Sequence, residues 1–189
     1  MLYLVRHGQT AANAAGLLLG RADPPLTELG RRQARAIADA LPAPSRVVSS
    51  PLSRARDTAA AFGQWVDIDE RWVEMDYGEL DGRPLGSVTA ELWSRWRADP
   101  GFAPSGGESL TAVGDRVRNA CTELADSADG RDIVVVTHVS PIKAAIAWAL
   151  GVPDAVAWRM FVEDAAVARV QIGPPAPLLR SFNEVFSCE

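Results

Sequence analysis

Ile133-Val134-Val135-Val136-Thr137-His138 decides how this chain folds. Four branched apolar residues run unbroken into a threonine and then into one of only two histidines. A short continuous apolar run of this kind predicts a strand buried on both faces. Leu2-Tyr3-Leu4-Val5-Arg6-His7 repeats the arrangement at the other end of the chain, with the second histidine. Arg46-Val47-Val48-Ser49 predicts another short strand. Pro51 and a helix-forming stretch follow it, with Arg54 in the first helical turn.

Helical patterns separate these strands. Thr27 is suited to cap a helix in which Ala34, Ile37, Ala38 and Leu41 share one face, ending before Pro42. Further helices are predicted over Leu52–Phe62, near Val88–Arg97, over Ser109–Ala125 and near Pro141–Leu150. Short strands are predicted at Trp65–Asp69, Phe161–Val162, Ala166–Ile172 and Leu179–Asn183. Alternating strands and helices imply an α/β fold, a three-layer α/β/α sandwich around a mostly parallel sheet. The closely linked late strands imply an antiparallel edge strand. The length of 189 residues, with no repeat or dividing linker, implies a single domain over residues 1–189.

Composition narrows the function. A net charge of −5 argues against a nucleic-acid binder working through a broad basic face. Cys121 and Cys188 form neither a disulfide framework nor a zinc cluster. Apolar stretches such as Ala144–Val152 fall short of the roughly 20 residues of a membrane span. No secretory leader fits the start, because its removal would take Arg6 and His7. A soluble, cytoplasmic protein is expected, with no nucleic-acid or membrane partner.

Ligands of open α/β sheets bind at the carboxyl ends of the strands. If the strands carrying His7 and His138 are parallel neighbours, both imidazoles enter one crevice. Arg6 precedes His7, and Arg54 follows the strand Arg46–Ser49. Taken singly, each residue has an ordinary structural reading. Taken together, two arginines and two histidines reach the same sheet edge. Guanidinium forks match phosphate oxygens, and a cationic cluster repels metal ions. Phosphate is therefore the expected guest, and no metal or other cofactor is expected.

These residues sit in recognisable motifs. Arg6-His7-Gly8-Gln9-Thr10 with Asn13 resembles the signature of the histidine phosphatase superfamily, also called phosphoglycerate mutase-like. The resemblance continues in order through Pro25-Leu26-Thr27-Glu28-Leu29-Gly30, Ser49-Ser50-Pro51-Leu52-Ser53-Arg54-Ala55, Glu74, Gly107-Glu108-Ser109 and Val136-Thr137-His138. It covers nearly the whole chain, and Thr137–Lys143 looks most like the acid phosphatase and α-ribazole phosphatase-like branch.

The resemblance implies a catalytic set of His7, Glu74, His138, Arg6 and Arg54. A neutral His7 would attack phosphorus and form a phosphohistidine. Its other ring nitrogen would be held by a backbone carbonyl. Arg6, Arg54 and a protonated His138 would stabilise the transferring oxygens. Glu74 would give a proton to the leaving oxygen and later take one from water; Asp76, Glu79 and Asp81 lie close by, and the resemblance alone selects among the four. Gln9, Thr10, Asn13 and the Val139 N–H would bind phosphate or substrate, with loop capping an equal reading of Gln9 and Thr10.

Three departures from the pattern stand out: Gln9 replaces a frequent glutamate, Val139-Ser140-Pro141 replaces glycines, and Lys143 replaces a frequent arginine and reads as peripheral. Residues 79–105 are expected to cover the site, with Trp93 and Trp96 either lining the pocket or forming a small satellite core. The expected activity is metal-independent hydrolysis of a small phosphomonoester metabolite by a monomer or homodimer. The alternatives are a phosphoglycerate mutase-type transferase and a non-catalytic phospho-ligand binder.

Overall fold

A computed structural model describes residues 1–188 of the chain. Six strands form one sheet: β1 (Leu2–Arg6), β2 (Arg46–Ser49), β3 (Val66–Ile68), β4 (Ile133–Thr137), β5 (Val167–Gln171) and β6 (Leu178–Glu184), in the order β3-β2-β4-β1-β5-β6. The first four are mutually parallel. β5 runs antiparallel to β1, and β6 turns back antiparallel to β5. The sheet is thus mostly parallel, with its antiparallel pairings at one edge. The stretch Phe161–Val162 is not a strand. Its chain turns at Asp164–Ala165, and the Val162 carbonyl accepts from Arg6 Nη1 at 2.7 Å instead of pairing with a neighbouring strand.

Alternation along the strands builds two cores. Leu2, Leu4, Val48, Ile133 and Val135 face α5 (Leu110–Ser127) and α6 (Val139–Leu150). Tyr3, Val5, Val47, Val134 and Val136 face α2 (Glu28–Ala40) and α3 (Ser53–Ala60). Side chains that alternate faces while both faces are covered explain why β1 and β4 are apolar at every position before their last residues, Arg6 and Thr137. The outcome is the three-layer α/β/α arrangement. The other α-helices among the described residues are a single turn, α1 (Ala11–Ala14), and α4 (Ala90–Ala98). Cys121 is buried inside the α5 core.

Two details of this frame set up the site. β1 and β4 pair in the register Val5↔Val136 and Arg6↔Thr137, so the next residues, His7 and His138, emerge side by side. The α6 helix begins at Val139, two residues earlier than its periodicity predicts, with His138 as N-cap and Pro141 in the first turn, where proline is tolerated. Its first free N–H groups are thereby placed beside the strand ends.

Candidate active site

His7 leaves β1 with its N–H on the Thr137 carbonyl at 3.0 Å. The loop behind it packs backbone against backbone. A Cβ on Gly8 would collide with the Gly30 carbonyl oxygen, and one on Gly30 with the Gln9 carbonyl oxygen. Only glycine permits this approach. The Gly8 N–H also donates to Thr58 Oγ1 at 3.0 Å, which ties the loop to α3.

The His7 ring is buried, and its Nδ1 lies 2.7 Å from the Gly8 carbonyl. A carbonyl can only accept, so Nδ1 carries the proton and Nε2 presents its lone pair. Arg54 Nε donates to that Nε2 at 3.3 Å. Burial, then Arg54 and Arg6, hold the imidazole well below the ordinary histidine range, so it is neutral near pH 7. The backbone carbonyl expected behind His7 is therefore that of its own neighbour.

Arg54 is fully buried, yet its fork is anchored by backbone oxygens: Nη1 on Ala22 at 2.7 Å and Nη2 on Gly20 at 2.8 Å. Asp81 holds those carbonyls in place by accepting the N–H groups of Gly20, Arg21 and Ala22 at 2.8, 2.9 and 2.8 Å. Arg6 is braced by the Val162 carbonyl and by Asp164 at 2.6 Å. His138 stands with its ring centroid 5.0 Å from that of His7, its Nε2 2.7 Å from Ser50 Oγ. Its buried Nδ1 has no partner among the described residues.

Burial comes first, then His7, Arg54 and Arg6; together they push the pKa of His138 well below the ordinary value in the absence of an anion. A phosphate dianion would favour the charged form of His138.

Glu74 is the one carboxylate of the neighbouring four that lines the cavity in front of His7. Glu79 is exposed, Asp76 accepts from Gly78 N–H at 2.8 Å, and Asp81 is engaged as described. The Glu74 carboxylate rests on the N-terminus of α6, accepting from Val139 N–H at 3.0 Å and Ser140 N–H at 3.1 Å. The Val139 N–H, expected to reach phosphate, is thus taken by Glu74. An acidic group is the natural occupant of a helix N-terminus.

The smaller polar candidates separate. Asn13 lines the cavity. Thr10 does not: it is buried and caps α1, its hydroxyl 2.7 Å from Asn13 Oδ1, so its capping reading prevails. Gln9 Oε1 accepts from Thr27 Oγ1 at 3.2 Å, which directs that end of the amide towards the start of α2. Lys143, read as peripheral, lines the cavity along with Tyr77. Its spacing gave the clue: four residues past Val139 is one helical turn along the same face. Ser50 was missed in its role, because a serine inside a strand-to-helix turn reads first as a turn residue.

A family model for the histidine phosphatase superfamily, branch 1, matches residues 2–185. The chain belongs to the histidine phosphatase superfamily. A bifunctional protein of Mycobacterium tuberculosis is 38% identical over 159 residues; the match spans 79% of this chain and 44% of that protein. The chain thus covers less than half of that relative. Among solved structures, mycobacterial glucosyl-3-phosphoglycerate phosphatase shares 33% identity at a TM-score of 0.86, covering 96% of this chain and 98% of that one. The α-ribazole phosphatase of Shigella flexneri shares 29% at a TM-score of 0.85, covering 100% and 98%. Both solved structures thus share the fold along nearly the whole chain. Among the described residues, no helix is long and apolar enough to cross a membrane.

Proposed function

We propose that this histidine phosphatase hydrolyses a small phosphomonoester through a phosphohistidine on His7, without a metal ion. The observation that carries this reading is the bond from His7 Nδ1 to the Gly8 carbonyl, which leaves Nε2 as the attacking atom beside Arg54 and His138. Nε2 attacks phosphorus, the bond from phosphorus to the alcohol oxygen breaks, and Glu74 gives that oxygen a proton. Water then attacks the phosphohistidine and returns a proton to Glu74. The nitrogen–phosphorus bond breaks, and inorganic phosphate leaves. Arg6, Arg54 and His138 offset charge on the equatorial oxygens throughout, and Asn13 offers its amide to them. Residues 1–189 act as one domain, with 79–105 as the cover over the pocket; Leu85 of that segment already lines it.

Hydrolysis is preferred to mutase chemistry because the chain is compact and resembles solved structures named as glucosyl-3-phosphoglycerate phosphatase and α-ribazole phosphatase. The test is steady-state hydrolysis of 4-nitrophenyl phosphate with and without chelator, followed by acid-free trapping of the phosphoenzyme. Turnover unaffected by chelator is expected, with label on His7. The His7→Ala variant should lose about 10⁴-fold or more in kcat. An active His7→Ala enzyme would end the nucleophile assignment. Faster interconversion of phosphoglycerates than phosphate release would favour the mutase, and phosphate binding without turnover the non-catalytic reading.

A further inference from the structure

A second cavity of about 190 Å³ adjoins the one in front of His7. The two share Leu18, Tyr77, Leu85, Val139 and Lys143 as walls, so they are immediate neighbours. Away from the catalytic groups the second cavity is lined by Met75, Trp93, Trp96, Leu110 and Trp158. Trp93 and Trp96 stack at 5.5 Å, and Trp158 meets both edge-on, at 6.1 and 5.8 Å. A void of about 150 Å³ already accepts benzene, so this one has room for an aromatic ring.

One polar group lining this space is left over. Lys143 is half-buried at the junction of the two cavities. Burial lowers its pKa, while the Glu74 carboxylate acts to raise it. Glu74 already accepts from the backbone of Met75, Val139 and Ser140. Arg6 and Arg54, the other cations nearby, are each paired with an aspartate; among the described residues Lys143 has no such ion pair. A half-buried ammonium without a counter-ion favours a ligand that carries an acidic group.

We propose that this annex is the subsite for the alcohol part of the substrate, and that the substrate class is a phosphomonoester joining an apolar ring to an acidic group. The ring lies among Trp93, Trp96 and Trp158, and Lys143 pairs with the acid. The assignment rests on the phosphatase reading only for the phosphoryl group; recognition of the remainder is read from the annex itself.

The test measures binding, so it is independent of turnover. Calorimetric Kd values are compared for methylphosphonate, benzylphosphonate and 4-carboxybenzylphosphonate on the wild-type chain and on Lys143→Met, Lys143→Arg and Trp93→Leu, each first shown to melt cooperatively. The ring should tighten binding about tenfold, and Trp93→Leu should remove most of that gain. The carboxylate should add about tenfold more, lost in Lys143→Met and kept in Lys143→Arg. Equal Kd values for the three ligands, or gains that all variants keep, would overturn the subsite while leaving phosphatase activity untouched. The predicted ring and acid gains, together with no turnover of 4-nitrophenyl phosphate, would uphold the subsite and overturn the phosphatase reading.

Discussion

At the phosphate end of the pocket, the working side chains are fixed by main chain: His7 by the Gly8 carbonyl, Arg54 by those of Gly20 and Ala22, Glu74 by the N–H groups of α6. At the alcohol end the walls are side chains, stacked indoles and leucines set by packing. Backbone anchoring leaves little freedom, which suits groups that must meet a developing charge without reorganising. Side-chain walls can be exchanged without moving the sheet. The same scaffold can therefore keep one chemistry and change its substrate.

This contrast can be broken by experiment. Changes at the phosphate end should depress turnover of every substrate together, and changes at the alcohol end should shift ratios between substrates. The largest effect is expected from Arg54→Ala, a loss of about 10³-fold in kcat/KM on all phosphomonoesters, read by steady-state kinetics. A loss confined to some substrates would place Arg54 in specificity. Glu74→Gln comes next: about 10²-fold on alkyl phosphates with poor leaving groups, and far less on 4-nitrophenyl phosphate, whose alcohol leaves without a proton. A uniform loss across leaving groups would remove Glu74 as the acid.

Much of this division could be read from the chain beforehand. Residues that end apolar strands announce themselves, so Arg6, His7 and His138 stand out by position, and Arg54 by its place in the first turn of the helix after β2. The fold followed from the same strands, since their unbroken apolar runs required cover on both faces. Phe161–Val162 misled because two apolar residues carry too little pattern to separate strand from irregular chain. The annex was hidden for a different reason. Trp93, Trp96, Trp158 and Lys143 converge only in three dimensions, and no spacing in sequence brings Trp158 against the α4 helix. Whether the tryptophans lined the pocket or formed a satellite core was left open. Trp96 is buried in the main core with Trp93 packed against it, and both wall the annex rather than the cavity in front of His7. Charge state was likewise out of reach, because the neutrality of His138 depends on burial that only the fold supplies.

Two smaller effects sharpen the picture. Ser50→Ala removes the partner of His138 Nε2. About tenfold lower kcat is expected, with Ser50→Thr restoring activity, as befits a positioning residue. The last concerns stability. Both imidazoles have folded-state pKa values below their unfolded value of about 6.5. Below that pH the unfolded chain binds more protons, so stability is full above about pH 6.5 and declines as pH falls. The slope is at most about 1.4 kcal/mol per pH unit for each histidine. Melting temperature measured from pH 8 to pH 5 should fall accordingly, and less steeply in His138→Gln. An unchanged slope in that variant would show that His138 titrates normally.

The α6 helix touches both ends of the pocket. Its N-cap is His138, its first N–H groups hold Glu74, and Lys143 follows one turn later. At about 1.5 Å of rise per residue, Lys143 stands roughly 6 Å along the axis from Val139. A straight helix cannot shorten that span. The helix thus fixes the spacing of the two backbone positions, while the flexible stem of Lys143 lets its ammonium adjust over several ångströms. Selection by length at this end would be coarse, and the sharper selection would fall to the indole walls.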